Sequence, residues 1–156
     1  MAAPAWKHMM PHDIPLFAKF ALTDVGRQFE RWEFDRHFGA GGPYPAGLTP
    51  RQLEMVREVT RIRADAIGWV GDRPTIIEVK PEATLAAFGQ IMAYGWWFGV
   101  ETGIEAQKAV VTDLVSADIA VLYGAFGITL WLVSPAREIE IEQAIREVAP
   151  KIRRSA

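Results

Sequence analysis

The sequence predicts a single α/β domain, and three observations carry that expectation. Two runs of strand character, RIRADAIGWV and RPTIIEVK, flank Gly71-Asp72, a dipeptide that suits a tight hairpin. From residue 82 onward, helical and strand-like segments alternate, as in a sheet covered by helices. A chain of 156 residues, half of them hydrophobic, has the size and composition of one domain with its own core.

Residues 1–12, which carry prolines and histidines, read as an N-terminal arm, and residues 13–156 as the domain. Asp13 is placed to cap a first helix and Pro15 suits its first turn. Within DIPLFAKFALTDVGRQFER, residues Leu16, Phe17, Phe20 and Ala21 recur at helical spacing until Gly26 interrupts or bends the segment. WEFDRHF sets Trp32, Phe34, Arg36 and Phe38 against Glu33, Asp35 and His37, the period of a first strand. Four glycines and three prolines make residues 39–50 a loop. Thr49 and Pro50 then open a short helix in RQLEMVREV, whose valines equally suit a strand extension. Beyond the hairpin, residues 82–100 form a long helix with Leu85, Phe88, Met92 and Trp96 on one stripe. KAVVTDL is a strand, ADIAVLYGAFG a helix ending at glycine, ITLWLVS a strand, and Glu138 to Ile152 a closing amphipathic helix. Counted without the short segment after Pro50, the order is helix, three strands, helix, strand, helix, strand, helix.

Composition excludes several classes. With 17 basic and 19 acidic residues there is no bulk positive field, so any nucleic acid or anionic surface must be met by a local patch. The absence of cysteine excludes disulfides and thiolate metal sites and fits a cytoplasmic protein. No basic start or long apolar stretch marks a signal peptide, and no run approaches the ~18 apolar residues of a membrane span, so no membrane partner is expected.

Chemistry concentrates in IIEVK. Glu78 and Lys80 lie two apart in an apolar strand, so alternation points both the same way. A buried charge costs several kcal/mol unless a partner or metal compensates it, on the order of the penalties known for unpaired ions. Across the hairpin, Asp65 is the candidate partner, with Arg61 and Arg63 on its own face. Hard cations such as Mg²⁺ are held by one or two carboxylates plus waters and substrate oxygens, and Asp65 and Glu78, with the Val79 carbonyl between, would supply such a site. Lys80 would orient or help deprotonate a water, and the set suits phosphodiester hydrolysis.

Asp65, then Glu78-Val79-Lys80, then a helix bearing Gln90 in GQIMAY, resembles the PD-(D/E)XK nuclease superfamily, and Gln90 with Tyr94 is similar to the QxxxY element of its RecB-like branch. MMPHDIP, FERWEFDRHFGAG, RADAIG, IIEVKP, GQIMAY and VVTDLV resemble small nuclease-like proteins of tailed bacteriophages, over residues 9 to about 133. The resemblance implies a restriction-endonuclease-like mixed central sheet flanked by helices. It also implies Mg²⁺ or Mn²⁺ at Asp65 and Glu78, Lys80 in catalysis and Gln90 in support. Many relatives add a carboxylate from the first helix, for which Glu30 is the best match, with Glu33 and Asp35 as rivals. Arg61, Arg63 and Tyr94 are the candidate nucleic-acid contacts, with Arg57 and Arg73 extending a local basic cluster.

Each signal has a plainer reading. Glu78 and Lys80 can be a surface ion pair, Gln90 an ordinary helix amide, and Arg61 and Arg63 structural partners of Asp65. His8 and His12 are four apart, but Pro11 between them spoils a helical metal pair. Tyr94, Trp96, Trp97 and Phe98 can stack on bases, or pack on the sheet beside Trp69 and Trp131. The sequence thus points to a metal-dependent nuclease, with nucleic acid, most naturally DNA, as its partner. The competing reading is a non-catalytic phage virion or assembly protein that uses the fold to bind structural or packaging proteins. The sequence does not reveal an oligomeric state; a homo-oligomer is allowed only by analogy with nucleases that pair to cut two strands, and the cytoplasm, that of the host for a phage-encoded chain, or the virion is the expected location.

Overall fold

The computed structural model describes residues 9–134 together with Gln143 and Arg146. In chain order the elements are α1 (Ile14–Ala21), β1 (Arg31–Phe38), α2 (Pro50–Thr60), β2 (Ile62–Val70), β3 (Arg73–Val79), β4 (Glu82–Ala83), α3 (Leu85–Thr102), β5 (Gln107–Thr112), β6 (Leu114–Val115), α4 (Ala117–Ala125) and β7 (Ile128–Leu132). The helix expected over 138–152 falls, apart from Gln143 and Arg146, outside the described residues.

Five strands form a mixed sheet in the order β1-β2-β3-β5-β7. The first three are antiparallel neighbours, while β3, β5 and β7 run parallel. That switch follows from connection length. A Gly71-Asp72 turn with Gly71 at φ +56° returns the chain antiparallel, whereas α3 and α4 supply the crossovers that parallel neighbours require. β4 and β6 add a two-stranded parallel ladder.

Helices cover both faces. Phe17 and Phe20 of α1 pack with Ile77, Val79 and Val111 on one side, and Ile91 and Phe98 of α3 join Tyr123 of α4 over Ile67, Ile76 and Val110 on the other. Burying one such side chain contributes about 1.5–3 kcal/mol. After α1 the chain folds back so closely that a Cβ at Gly26 would lie 2.2 Å from the Phe20 carbonyl oxygen, so the turn requires glycine there. The chain leaves α1 at Ala21 and makes only a 3₁₀ turn at Gly26–Gln28.

Local capping decides the ambiguous segment after the glycine loop. Thr49 Oγ1 accepts from Gln52 N, and Gln52 Oε1 accepts from Thr49 N, a reciprocal capping box that makes α2 a helix and not a strand extension. The expected stripe of α3 is also corrected. Ala87, Ile91, Tyr94 and Phe98 are its buried residues, and Leu85 and Trp96 are each 63% exposed. Apolar residues occur all round this helix, so spacing alone does not select the inward side.

β1 and β2 carry a matched irregularity. Asp35 adopts φ +59° in mid-strand, and Phe34 packs in the α1 layer whereas Phe38 packs in the α3 layer. In β2, Ala64 and Ala66 likewise belong to opposite layers. Strict alternation would put each pair on one face, so both strands turn over at the facing positions Asp35 and Asp65.

Candidate active site

The β2–β3 ladder runs from Val70–Arg73 to Ala66–Ile77 and stops one residue short of Asp65. There a side chain replaces the ladder, as Asp65 Oδ2 accepts a hydrogen bond from Val79 N at 2.8 Å. The turned-over strand thus aims a carboxylate at β3. On β3, Ile77 and Val79 face α1, so alternation sends Glu78 toward the α3 side. Glu78 is 1% exposed, and Lys80 Nζ stands 2.9 Å from its Oε1. Lys80 is held in turn by its backbone N–H, which donates to the Val111 carbonyl at 3.0 Å.

A third acid joins them. Asp13 occupies the cap position of α1, yet its side chain makes no capping hydrogen bond. It is fully buried, with His12 Nε2 3.3 Å from Oδ1, and its charge is felt by Asp65, Glu78 and Lys80. The expected capping role is therefore corrected.

The electrostatics follow from three acids beside one lysine. Burial, and then the neighbouring Asp65, push the Glu78 carboxyl up to about 8 against the opposing pull of Lys80. Burial likewise raises Asp65, although the Val79 N–H and Lys80 favour its charged form. Asp13 is raised by burial, opposed by Lys80 and His12. Burial acts to lower Lys80, but Glu78, Asp65 and Asp13 outweigh it and hold the ammonium above its ordinary range. Among the described residues, Glu78 Oε2 and both Asp13 oxygens are buried and accept no hydrogen bond, while the side chains of Asp65 and Glu78 interact with one another.

Those orphaned oxygens and the surplus of acid fit a hard divalent cation, which prefers oxygen ligands and tolerates a small protein share of its shell. Among the described residues, no group of three or more His, Asp or Glu side chains is arranged to hold a metal ion. The smaller set of Asp65 and Glu78, two carboxyls close enough to perturb one another, is what the fold offers.

The cluster opens into a cleft of about 750 Å³. One wall carries Arg61, Arg63, Asp65, Glu78 and Lys80, and the other is α3, through Gly89, Gln90, Ala93 and Tyr94. Gln90 is exposed at the rim and interacts with the Tyr94 hydroxyl below it. Tyr94 is 4% exposed and its ring stacks on Phe38, so its ring is part of the core and not free to stack on a base. Burial first, then Glu78 and Asp65, keep its hydroxyl protonated far above the ordinary range.

The structure separates other candidates from the cluster. Glu30 lies at the far end of the hairpin, where its Oε2 accepts from Gly71 N at 3.2 Å. Arg73 begins β3 at that same end, and Arg57 lines a hollow beside Tyr44, so a four-arginine cluster does not form. Arg61 and Arg63 do line the cleft, but neither is tied to Asp65. Arg61 Nη2 donates to the His37 carbonyl at 3.2 Å, and Arg63 Nε lies 3.1 Å from Asp35 Oδ1. Glu33 pairs with Arg36 at 2.9 Å. Phe98 is buried against Phe38 and Trp69, whereas Trp131 packs on Phe20 beneath α1, away from the α3 aromatics.

Fold and site together define an α/β domain with a buried carboxylate–lysine cluster at the end of a mixed sheet. No family model and no curated protein matches the chain. Among solved structures, a repair endonuclease from Pyrococcus abyssi is similar at 17% identity and a TM-score of 0.48, over 81% of this chain and 49% of that one. The structure of an EndoMS–dsDNA2 complex is similar at 13% identity and 0.47, over 81% and 46%. The chain thus spans about half the length of each.

Proposed function

We propose that this chain is a metal-dependent phosphodiester hydrolase acting on DNA. The observation that carries the reading is the excess of buried acid around Lys80. Three carboxyl groups share one ammonium, an arrangement that costs stability unless positive charge is added during function. Asp65 and Glu78 would hold Mg²⁺ or Mn²⁺, which when bound neutralises charge on a phosphate and acidifies its own water. Lys80, kept as an ammonium by its acidic neighbours, orients the attacking water by donating to it. Gln90 lines the opposite wall, and Arg61 and Arg63, which line the cleft, would meet phosphate oxygens on exchanging their present partners. Glu30 has no part in this chemistry, and Asp13 shapes the field around the pair. The resemblance of its motifs to nuclease-like proteins of tailed phages supports a phage origin, with DNA processing or packaging as the setting.

The test is to incubate the protein with plasmid and with linear single- and double-stranded DNA, with Mg²⁺ or Mn²⁺, beside Lys80→Ala. Cleavage that requires metal and falls at least ~100-fold in the variant is the expected outcome, the size typical of losing a positioned proton-transfer or charge-stabilising group. No cleavage of any substrate, together with no metal binding by calorimetry, would sink the reading and favour the scaffold role.

A further inference from the structure

A helix that is apolar all round belongs in an interior, yet α3 keeps one side in water. From Leu85 to Val100 it carries no charged residue, and Glu101, which follows, is engaged by Arg36 at 3.7 Å and by Gly39 N at 3.0 Å. Ala87, Ile91, Tyr94 and Phe98 are its buried residues. Helical spacing therefore sets Leu85, Gly89, Trp96 and Val100 on the opposite side, flanked by the half-buried Met92 and Ala93. Among the described residues this side faces solvent, with Leu85 and Trp96 each 63% exposed and Val100 56%. Trp96 is held outward, edge-on to Trp97 with ring centroids 5.0 Å apart and planes at 82°.

Two glycines of this helix differ in what they do for the fold. A Cβ at Gly95 would lie 2.7 Å from Lys108 Cδ, so packing against β5 keeps that position bare. A Cβ at Gly89 would meet nothing within 4 Å, and its backbone is ordinary helix. Glycine inside a helix weakens it relative to alanine, and the described fold offers Gly89 no compensating contact. Close approach by a bulky group from outside would supply one.

This side of α3 is complementary to itself. Laid antiparallel on a second copy, about a two-fold axis between Met92 and Ala93, each residue faces the one equally far beyond that axis. Trp96 then meets the partner's Gly89, Met92 meets the partner's Ala93, and Leu85 meets the partner's Val100. Large meets small in two of these pairs, and the third joins two aliphatic side chains. A parallel pairing would instead set Trp96 on the partner's Trp96 and leave a gap at Gly89, and it would align the two helix dipoles that the antiparallel pairing opposes. The charge pattern agrees, because an occupant bearing charge would lose its hydration here without gaining a partner, whereas a second α3 brings none.

We propose that α3 is a homodimer interface, in which two copies pair antiparallel with Trp96 seated over the partner's Gly89. The proposal goes beyond the nuclease reading and does not depend on it. Gly89 and Ala93 also line the cleft, so the dimer places the partner's Trp96 at the cleft rim.

Sedimentation equilibrium over about 1–100 μM protein tests the pairing. The parent should approach twice the 17.4 kDa mass of the chain. Gly89→Leu meets no obstacle close to its own Cβ, and it should fold yet weaken the dimer at least about 10-fold by overpacking the contact. Trp96→Ala should weaken it by a similar factor, about 10-fold or more, as truncation of an interface tryptophan does. Combining the two substitutions exchanges large and small across the axis and should recover most of the loss. The chain has no cysteine, so orientation can be read by disulfide trapping. Leu85→Cys with Val100→Cys in one chain should cross-link copies on mild oxidation. Neither alone should do so, because like positions would lie about 22 Å apart along the paired helices.

Circular dichroism checks that each variant is folded, and if Gly89→Leu is not, the parent's mass and the cysteine pair decide. A parent that stays monomeric throughout, its α3 left to some other partner, overturns the proposal. So does a dimer indifferent to both Gly89→Leu and Trp96→Ala, or one that cross-links through a single cysteine as readily as through the pair.

Discussion

Glu78 is the residue on which the site turns. Its carboxyl is raised from the usual 4.5 to about 8, first by burial and then by Asp65. A folded-state value above the unfolded one means that the folded chain holds the extra proton between those limits. The corresponding stability is complete below about pH 4.5 and is lost as pH rises through about 8. Asp13 and Asp65 are raised as well and act in the same direction. Urea denaturation in EDTA should therefore show lower stability at pH 8.5 than at pH 6. The slope from this one group reaches at most about 1.4 kcal/mol per pH unit. A flat profile, or stability that increases over that interval, would show that Glu78 is ionised in the resting protein. The sequence disclosed Glu78 and Lys80 through their spacing in an apolar strand, and Asp65 through the hairpin. It hid Asp13, because an aspartate before a helix reads as a cap until the folded chain shows its carboxylate buried with no N–H to accept.

At the level of elements, two segments invite direct tests. Gly26→Ala would set a Cβ against the Phe20 carbonyl oxygen, a backbone atom that cannot move aside cheaply. We expect a loss of about 1–3 kcal/mol, measured as a shift of the urea midpoint at constant slope. A neutral substitution would mean that the turn after α1 is looser than described. The second segment is α2, which has no buried residue despite exposed Leu53, Met55 and Val59. Isolated helices of this length are marginal in water, so α2 depends on its capping box and on contacts at its C-terminal end, such as Gly42 N donating to Thr60 Oγ1 at 2.7 Å. Hydrogen exchange should find α2 opening far more readily than β3 or β5, with protection approaching that of the core only if a partner covers it. The two segments differ in legibility. The capping residues of α2 were readable as local chemistry, whereas the inward face of α3 was not, because a helix apolar all round leaves the choice to the sheet beneath it.

On the scale of the whole molecule, the site behaves as a charge imbalance built into a packed fold. A divalent ion that binds only the folded chain stabilises it by mass action, about 2.7 kcal/mol at a concentration 100 times its dissociation constant. Mg²⁺ or Mn²⁺ at pH 8.5 should therefore raise the urea midpoint more than at pH 6, where protons compete for Glu78. Equal shifts at both pH values would place the binding elsewhere. Much of the architecture was determined by the sequence alone. Periodicity, the Gly71-Asp72 turn and the capping residues are local, and they specify the strands, their hairpin and the order of helices. What the tertiary structure decided is which groups converge. Asp13 and Glu30 are both acids flanking the first helical region, yet one is buried beside Lys80 and the other lies at the opposite end of the hairpin. The turning-over of β1 and β2 at Asp35 and Asp65 has no local signature either. Convergence depends on how strands twist and layers pack over distances that no run of neighbouring residues encodes, and so a pair of charges in IIEVK became a site only when the sheet closed around it.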